Sequence, residues 1–341
     1  MRPHLIVNPA SAGGRTGRHF DAIVRAVREA VGEFDWSFTR RRGDGRVLAR
    51  EAARAGANLV VAVGGDGTAS EVVDGLAQDG DPLPPDIVER RDAATEPGHP
   101  RLGCGTRRAE LRGEVAFGFI PRGTGGDFSR SLAWPSDLGE AARILAAGAE
   151  RTIDLGRIEF TGADGRPQVR RFANVAGFGI SGRVVQEVER AGKSFGGKMA
   201  FMLASARVLA GWRDQPVRWR ADGGPWRESR VTAFSVCNGR YFGGGMLVAP
   251  EALVDDGLLD VTIWTGIGLS DFILKKGMLY DGTHVRLPNT QTLRVRTIEA
   301  EPLCAEPVLL DVDGEQPGML PARFTIVPGA LRARVAAQID A

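Results

Sequence analysis

Cysteine is scarce in this chain: only Cys104, Cys237 and Cys304 occur, odd in number and far apart. That argues against a disulfide framework or a cysteine-built zinc site, and it fits a reducing compartment. Net charge is equally slight, +2 across 341 residues, too little to argue for nucleic acid as a partner. No stretch approaches the roughly 20 apolar residues of a membrane-spanning helix. The opening "MRPHLIVNPAS" is too short in apolar length for a secretory signal. A cytoplasmic protein is expected, with peripheral contact to a membrane surface left open. No internal repeat or low-complexity tract occurs, and nothing in the sequence fixes an oligomeric state.

What is present is an ordinary globular composition, 43% hydrophobic and 25% charged, on a chain longer than one core usually serves. Two domains are therefore expected. Arginines cluster at Arg40-Arg41-Arg42 and Arg107-Arg108, which suits an anionic ligand, an anionic membrane surface or simply a solvated loop.

The first part of the chain, 1–150, alternates strand and helix signals. "HLIV" (4–7) reads as a buried strand, and Phe20, Ile23, Val24, Val27 and Val31 then recur at helical spacing. "WSF" (36–38) is a second strand, "VLAREAARA" a second helix, and "LVVAV" (59–63) a third strand bounded by glycine. The next helix is expected to begin at Thr68, with Glu71 completing a capping box. "VAFGFIP" (115–121) continues the pattern and a helix over 137–147 closes it. Strands alternating with helices imply a parallel sheet covered on both faces, a three-layer α/β domain. The Pro-, Gly- and charge-rich segment 78–114 reads as an inserted surface loop.

From about 151 to 325 short alternating segments such as "VRWRAD", "LLDVTIW" and "LRVRTIEA" predict antiparallel β-structure, interrupted by helices near 182–211 and 269–279. The plan is thus an α/β domain followed by a β-rich, sandwich-like domain. The tail 326–341 is expected to rejoin one of them.

Gly64 and Gly65 sit where a parallel strand ends and a helix is about to start, the edge at which open α/β sheets bind ligands. Glycine lets the backbone approach a ligand closely, and the helix start offers free N–H groups, an arrangement suited to phosphate. Asp66 in the same loop would repel phosphate unless it holds a cation or meets a hydroxyl, and magnesium resolves the conflict. "NPASAGG" (8–14) is a second such loop: Asn8 bonds its local backbone, Pro9 stiffens the exit and Gly13-Gly14 permit close approach. "GTGGDF" (123–128) is a third, with Thr124 as a hydroxyl donor and Asp127 as another metal-side carboxylate. Two decoys fall away. "GFGISG" (177–182) lacks the acidic residue and βαβ unit of a dinucleotide site, and "AGKS" (191–194) has Glu187 where a P-loop needs glycine.

Taken together, "VNPASAGG", "GGDGTASEVVDGL", "FIPRGTGGDF", "VAPEALVDDGLLDV" and "LDVDGE", in that order over 7–315, resemble the diacylglycerol kinase catalytic family in its soluble bacterial lipid-kinase branch. The resemblance implies an α/β nucleotide domain plus a sandwich-like domain, with the active site in the cleft between. It implies nucleotide contacts at Asn8, Pro9, Ser11 and Gly13, at Gly64, Gly65, Asp66, Gly67 and Thr68, and at Thr124. Thr39 joins them, because "TRRRGD" keeps the family's spacing from threonine to a Gly-Asp pair. The family's general base falls in "DVDGE" (311–315), where Asp313 and Glu315 are both eligible; as a bare tetrapeptide "VDGE" would be a hairpin turn. The family's structural magnesium site maps to Asp256 with the carbonyls of Leu253 and Leu258. One departure stands out: Gly126 replaces an asparagine that many relatives carry before the third-loop aspartate.

The activity implied is ATP- and Mg2+-dependent phosphorylation of a lipid hydroxyl, with the lipid met at a membrane surface. Such transfer depends on positioning and charge stabilisation. Phe178, Phe195, Met199 and Met202 form an apolar set that suits either the acceptor or a core. Two other readings compete. An NAD kinase shares "GGDGT" but leaves "NPASAGG" and "VAPEALVDDGLLD" unexplained. A non-catalytic nucleotide-binding regulator has no need of Asp66, Asp127, Asp313 and Glu315 together.

Overall fold

The computed structural model describes residues 1–77, 115–191 and 197–336. The expected insertion at 78–114 lies outside them, as do Cys104 and Phe195. In chain order the first lobe carries β1 (Pro3–Val7), α1 (Arg15–Arg18), α2 (Phe20–Val31), β2 (Asp35–Phe38), α3 (Asp44–Arg54) and β3 (Leu59–Gly64). It continues with α4 (Asp66–Ala77), β4 (Ala116–Pro121), α5 (Asp127–Ser131) and α6 (Leu138–Ala147). β2, β1, β3 and β4 lie side by side and parallel. Every residue of β3 is buried, as a central parallel strand covered on both faces requires. α3 and α4 pack together on one face, and α2 with α6 on the other, giving three layers. Asp137 caps α6 by accepting the Glu140 amide at 2.9 Å.

The expected start of α4 needs correction. The helix begins at Asp66, two residues before Thr68. Glu71 does not cap its own helix: its two carboxylate oxygens accept the Gly43 and Gly45 amides at 2.7 and 2.9 Å, capping α3 instead. A buried carboxylate thus satisfies the orphan donors at the start of the neighbouring helix.

The second lobe follows as β5 (Ala149–Gly162), β6 (Pro167–Phe172), β7 (Val175–Gly179), α7 (Ile180–Ala191), α8 (Gly197–Leu209), β8 (Gln215–Ala221), β9 (Arg227–Val231) and β10 (Ala233–Cys237). Then come β11 (Tyr241–Phe242), β12 (Met246–Leu247), β13 (Leu259–Trp264), α9 (Leu269–Asp281), a 3-10 turn at Thr283–Arg286, β14 (Thr290–Val295), β15 (Thr297–Pro302), β16 (Leu310–Val312) and β17 (Gly318–Val335). The antiparallel sheet β14-β13-β10-β7-β16 faces strands β5, β8, β15 and β17 across one apolar core containing Phe178, Trp219, Phe234 and Phe324. Phe178 is therefore core, stacked on Phe234 at 4.6 Å, and does not line an acceptor site.

β17 and β5 belong to both lobes. The first part of β17 pairs with β15 and with 155–162 of β5, while Arg332 and Ala333 run parallel to Ala116 and Phe117 of β4. Leu331, Ala333 and Val335 enter the first lobe's core beside Ile153 and Leu155. Asp154 fixes this crossing: its carboxylate accepts the Gly329 and Gly257 amides, each at 2.7 Å.

Candidate active site

The three glycine loops leave the same edge of the parallel sheet, at the ends of β1, β3 and β4. Asn8 donates its backbone N–H to Val63 O at 2.9 Å and its Nδ2 to Thr68 Oγ1 at 3.2 Å, tying the first loop to the second. Ser11 Oγ donates back to Asn8 O at 2.9 Å, and Pro9 O accepts the Gly17 amide at 3.1 Å. Ala12, Gly13 and Gly14 follow with φ of 52°, 66° and 80°, a left-handed run in which glycine relieves the strain at the last two positions. Thr39, half-buried at the end of β2, joins this edge through its amide to Val7 O at 2.9 Å.

The second and third loops touch backbone to backbone. A Cβ on Gly123 would lie 2.5 Å from the Gly65 Cα, and one on Gly64 would lie 2.5 Å from Thr68 Oγ1. Arg122 N donates to Gly64 O at 2.6 Å. Asp66 Oδ2 accepts the Asp127 amide at 2.9 Å, so the two carboxylates are neighbours. Gly126 stands at φ 74° as the N-cap of α5, a left-handed conformation that glycine and asparagine both tolerate. That explains why the departure from asparagine leaves the loop intact. Gly67 and Thr124 are exposed at the rim of these loops.

The second lobe reaches the same place from two sides. Between β11 and β12 a Gly243–Gly245 turn points the Gly244 amide at Asp127 Oδ2, 2.7 Å away, while Arg130 Nη1 donates to Asp127 Oδ1 at 3.1 Å. Asp313, itself at φ 48°, follows β16. Its carboxylate accepts the Ala173, Asn174 and Val175 amides at 3.0, 3.1 and 2.9 Å. The fourth donor is Ser70 Oγ of α4, at 2.8 Å. Nothing local in the sequence marks Ser70 as functional, although Asp66, Ser70 and Asp74 recur at a spacing of four along one helix. Asp74 pairs with the buried Arg46 and accepts the Arg171 amide at 2.9 Å, so this stripe also joins the lobes.

Glu315 is differently placed. It pairs with Arg170 at 2.8 Å and with Arg42, from the Thr39 loop, at 3.0 Å. Burial raises a carboxylate's pKa, but here Arg170, Arg42 and Arg46 outweigh it and hold Glu315 below its ordinary value. It closes the cleft electrostatically and is a poor proton acceptor.

The remaining carboxylates move the other way. Burial, with the like charges of Asp127 and Asp313, lifts Asp66 to about 6. Burial also raises Asp127 and Asp313 against the hydrogen bonds that favour their ionised forms. Asp311, buried beside Asp313, rises to about 7. Asp66 Oδ1 is buried without a hydrogen-bond partner. A site crowded with carboxylates, one oxygen of which has no donor, is short of positive charge. Its donor set fits a hard divalent cation carried in on phosphate.

The turn at Leu253, Asp256 and Leu258 is not drawn into this cluster. Asp256 accepts the Leu258 amide at 3.0 Å and pairs with Arg294 of β14; Arg294 also reaches Asp260 at 3.6 Å. The guanidinium already supplies the cation, so as arranged the residues do not fit a metal there. Among the described residues, no group of three or more His, Cys, Asp or Glu is arranged to hold a metal ion.

Beside the cleft lies an apolar cavity of about 110 Å³. Phe242 and Met246, on the strands flanking the Gly244 turn, form part of its wall, so cavity and carboxylate cluster share one hairpin. Its other walls include Val184, Phe201, Trp264 and Phe272.

Comparison with known proteins follows this division of the chain. Residues 2–158 match the diacylglycerol kinase catalytic domain, and residues 174–335 match the YegS C-terminal NAD kinase beta sandwich-like domain. A Xanthomonas oryzae pv. oryzae protein named "Probable lipid kinase YegS-like" is 31% identical over 314 residues, covering 90% of each chain. A Bacillus subtilis protein named diacylglycerol kinase is 27% identical over 95% of this chain and 92% of its own. Among solved structures, a diacylglycerol kinase from Bacillus anthracis superimposes with a TM-score of 0.66 at 22% identity, covering 98% of this chain and 96% of that one. At that identity the likeness is one of fold.

Proposed function

Because the chain belongs to the diacylglycerol kinase catalytic family, we propose that it is an ATP- and magnesium-dependent kinase that transfers the γ-phosphoryl group to the hydroxyl of a lipid. The observation that carries this reading is the meeting of Asp66, Asp127 and Asp313, from two lobes, at the mouth of three glycine loops. Asn8, Pro9, Ser11, Gly13, Thr39, Gly64, Gly65, Gly67, Thr68 and Thr124 form the nucleotide's cradle, beside the N-terminus of α4, which favours phosphate. Asp66 and Asp127 would hold the magnesium, which when bound neutralises charge on the transferring phosphoryl group.

Of the two candidate bases, Asp313 fits and Glu315 does not, since Glu315 is neutralised by arginines. Asp313 acts with Ser70. As the acceptor oxygen bonds to γ-phosphorus and the bond to ADP breaks, the acceptor's proton passes to Ser70 Oγ and Ser70's own proton to Asp313 Oδ2. The raised pKa of Asp313 favours the protonated product of that step. The apolar cavity behind the Gly244 hairpin takes the acceptor's hydrocarbon chain.

The test is transfer of labelled γ-phosphate into a total lipid extract, with NAD in a parallel reaction and products identified by mass. A labelled lipid phosphate is expected. Label appearing on NAD alone, or on neither, overturns the reading.

A further inference from the structure

The loop after β2 carries a cation that the proposed transfer leaves unused. Its backbone is fixed from its own lobe: Asp44 Oδ2 accepts the Arg40 and Arg41 amides at 2.8 and 3.1 Å, and Glu71 accepts the Gly43 amide at 2.7 Å. Arg41 turns back, its Nε donating to Asp44 Oδ1 at 3.3 Å. Arg42 instead crosses to the second lobe. Its Nη1 meets Glu189 Oε1 of α7 at 2.7 Å, and its Nε meets Glu315 Oε1 at 3.0 Å. One planar guanidinium thus spans two carboxylates from different elements, which a single ammonium group copies poorly.

Glu315 closes the turn that presents Asp313. Val312 and Glu315 exchange both backbone hydrogen bonds, at 2.8 and 3.0 Å, around Asp313 and Gly314 at φ 48° and 81°. A two-residue turn with left-handed corners moves as a unit. It is tied to the first lobe at two points, Ser70 holding Asp313 and Arg42 holding Glu315. One tie alone leaves the turn free to pivot about it, whereas two fix its orientation. A carboxylate that must meet a transferring proton tolerates little pivot, since a misplacement of about 1 Å can cost roughly a hundredfold in rate.

We propose that Arg42 is a positioning residue: through Glu315 it orients the 312–315 turn, and so the Asp313 carboxylate, against the first lobe. Glu189 aims the guanidinium across the cleft. The Arg42 side chain is 56% exposed, so removing it opens no cavity in either core. Nor does its removal orphan Glu315, because Arg170 stays on the other carboxylate oxygen at 2.8 Å. What is lost is the second tie. That Asp313 serves phosphoryl transfer rests on the function proposed above; the orientation of the turn is measured without any transfer.

The test is hydrogen exchange at single amides, which reports local opening, run beside steady-state transfer of labelled γ-phosphate into a lipid extract. In Arg42→Gln the Ala173, Asn174 and Val175 amides, which face Asp313, and the Glu315 amide should exchange at least tenfold faster, with those of β3 unchanged. The variant's kcat should fall at least tenfold while KM for ATP stays within twofold. Glu189→Gln should show the same pattern more weakly, and should add nothing in the Arg42→Gln background. Wild-type exchange at those amides in Arg42→Gln would overturn the proposal, and so would wild-type kcat. A loss carried wholly by KM for ATP would overturn it too, because Arg42 would then be a nucleotide contact. If the wild type phosphorylates no lipid while Arg42→Gln still frees those amides, the orienting role stands and the kinase reading falls.

Discussion

Ser70 and Asp313, 243 positions apart in the chain, share a 2.8 Å hydrogen bond across the two lobes. It completes four donors to a carboxylate that has about four acceptor sites, so the proposed proton acceptor, Asp313, also joins the lobes.

Asp313→Asn should therefore cost stability as well as activity. An amide must turn its NH2 toward backbone N–H groups, leaving donors facing donors, at a cost of about 1–3 kcal/mol. Urea unfolding should show it, beside loss of transfer. Ser70→Ala removes one hydrogen bond, about 1 kcal/mol, yet should lower kcat at least tenfold with KM for ATP unchanged. Wild-type turnover by Ser70→Ala would remove the relay from the mechanism.

Asp66→Asn should abolish transfer and stabilise the folded protein at alkaline pH. A carboxyl raised from 3.8 to about 6 by folding disfavours the folded state once ionised. The penalty is absent below pH 4, grows between pH 4 and 6, and reaches about 2–3 kcal/mol above. Thermal melts without nucleotide should show the variant gaining over wild type through that window and level with it below.

Gly123→Ala should disrupt nucleotide binding. Its Cβ would sit 2.5 Å from the Gly65 Cα, with backbone on both sides and no flexible side chain to yield. Separating the two loops should weaken ATP affinity at least tenfold by calorimetry, while far-UV circular dichroism stays unchanged.

Arg294→Gln should make the Asp256 turn responsive to metal. In the wild type the guanidinium neutralises Asp256 and Asp260, and Asp260 is raised to about 6 by burial even so. Magnesium alone should barely shift the wild-type melting temperature. The variant should melt lower in EDTA and recover with magnesium.

The glycine loops were legible in the sequence because each is contiguous, and its backbone geometry is set by the residues that spell it. The strands around them were legible for the same reason, as β3 shows with six apolar or glycine residues in a row. What escaped notice was long-range. Glu71 has the spacing of a self-capping residue, and only the packing of α3 on α4 turns it to Gly43 and Gly45. Asp256 sits in a turn that suits a cation, but the cation arrives from Arg294 on a strand about 40 residues later. Gly244 and Arg42 reach the cleft only because two lobes close on it. Local pattern carries no information about partners that the topology chooses.

The shared strand β17 also orders events during synthesis. Leu331, Ala333 and Val335 fill the core of the lobe whose first strand begins at Pro3. A nascent chain must hold that lobe unfinished, its β4 edge unpaired, until the second lobe and β17 itself have left the ribosome. The proposed nucleotide cradle, though written mostly ahead of the second lobe, would then gain its rigidity only after that lobe has been made.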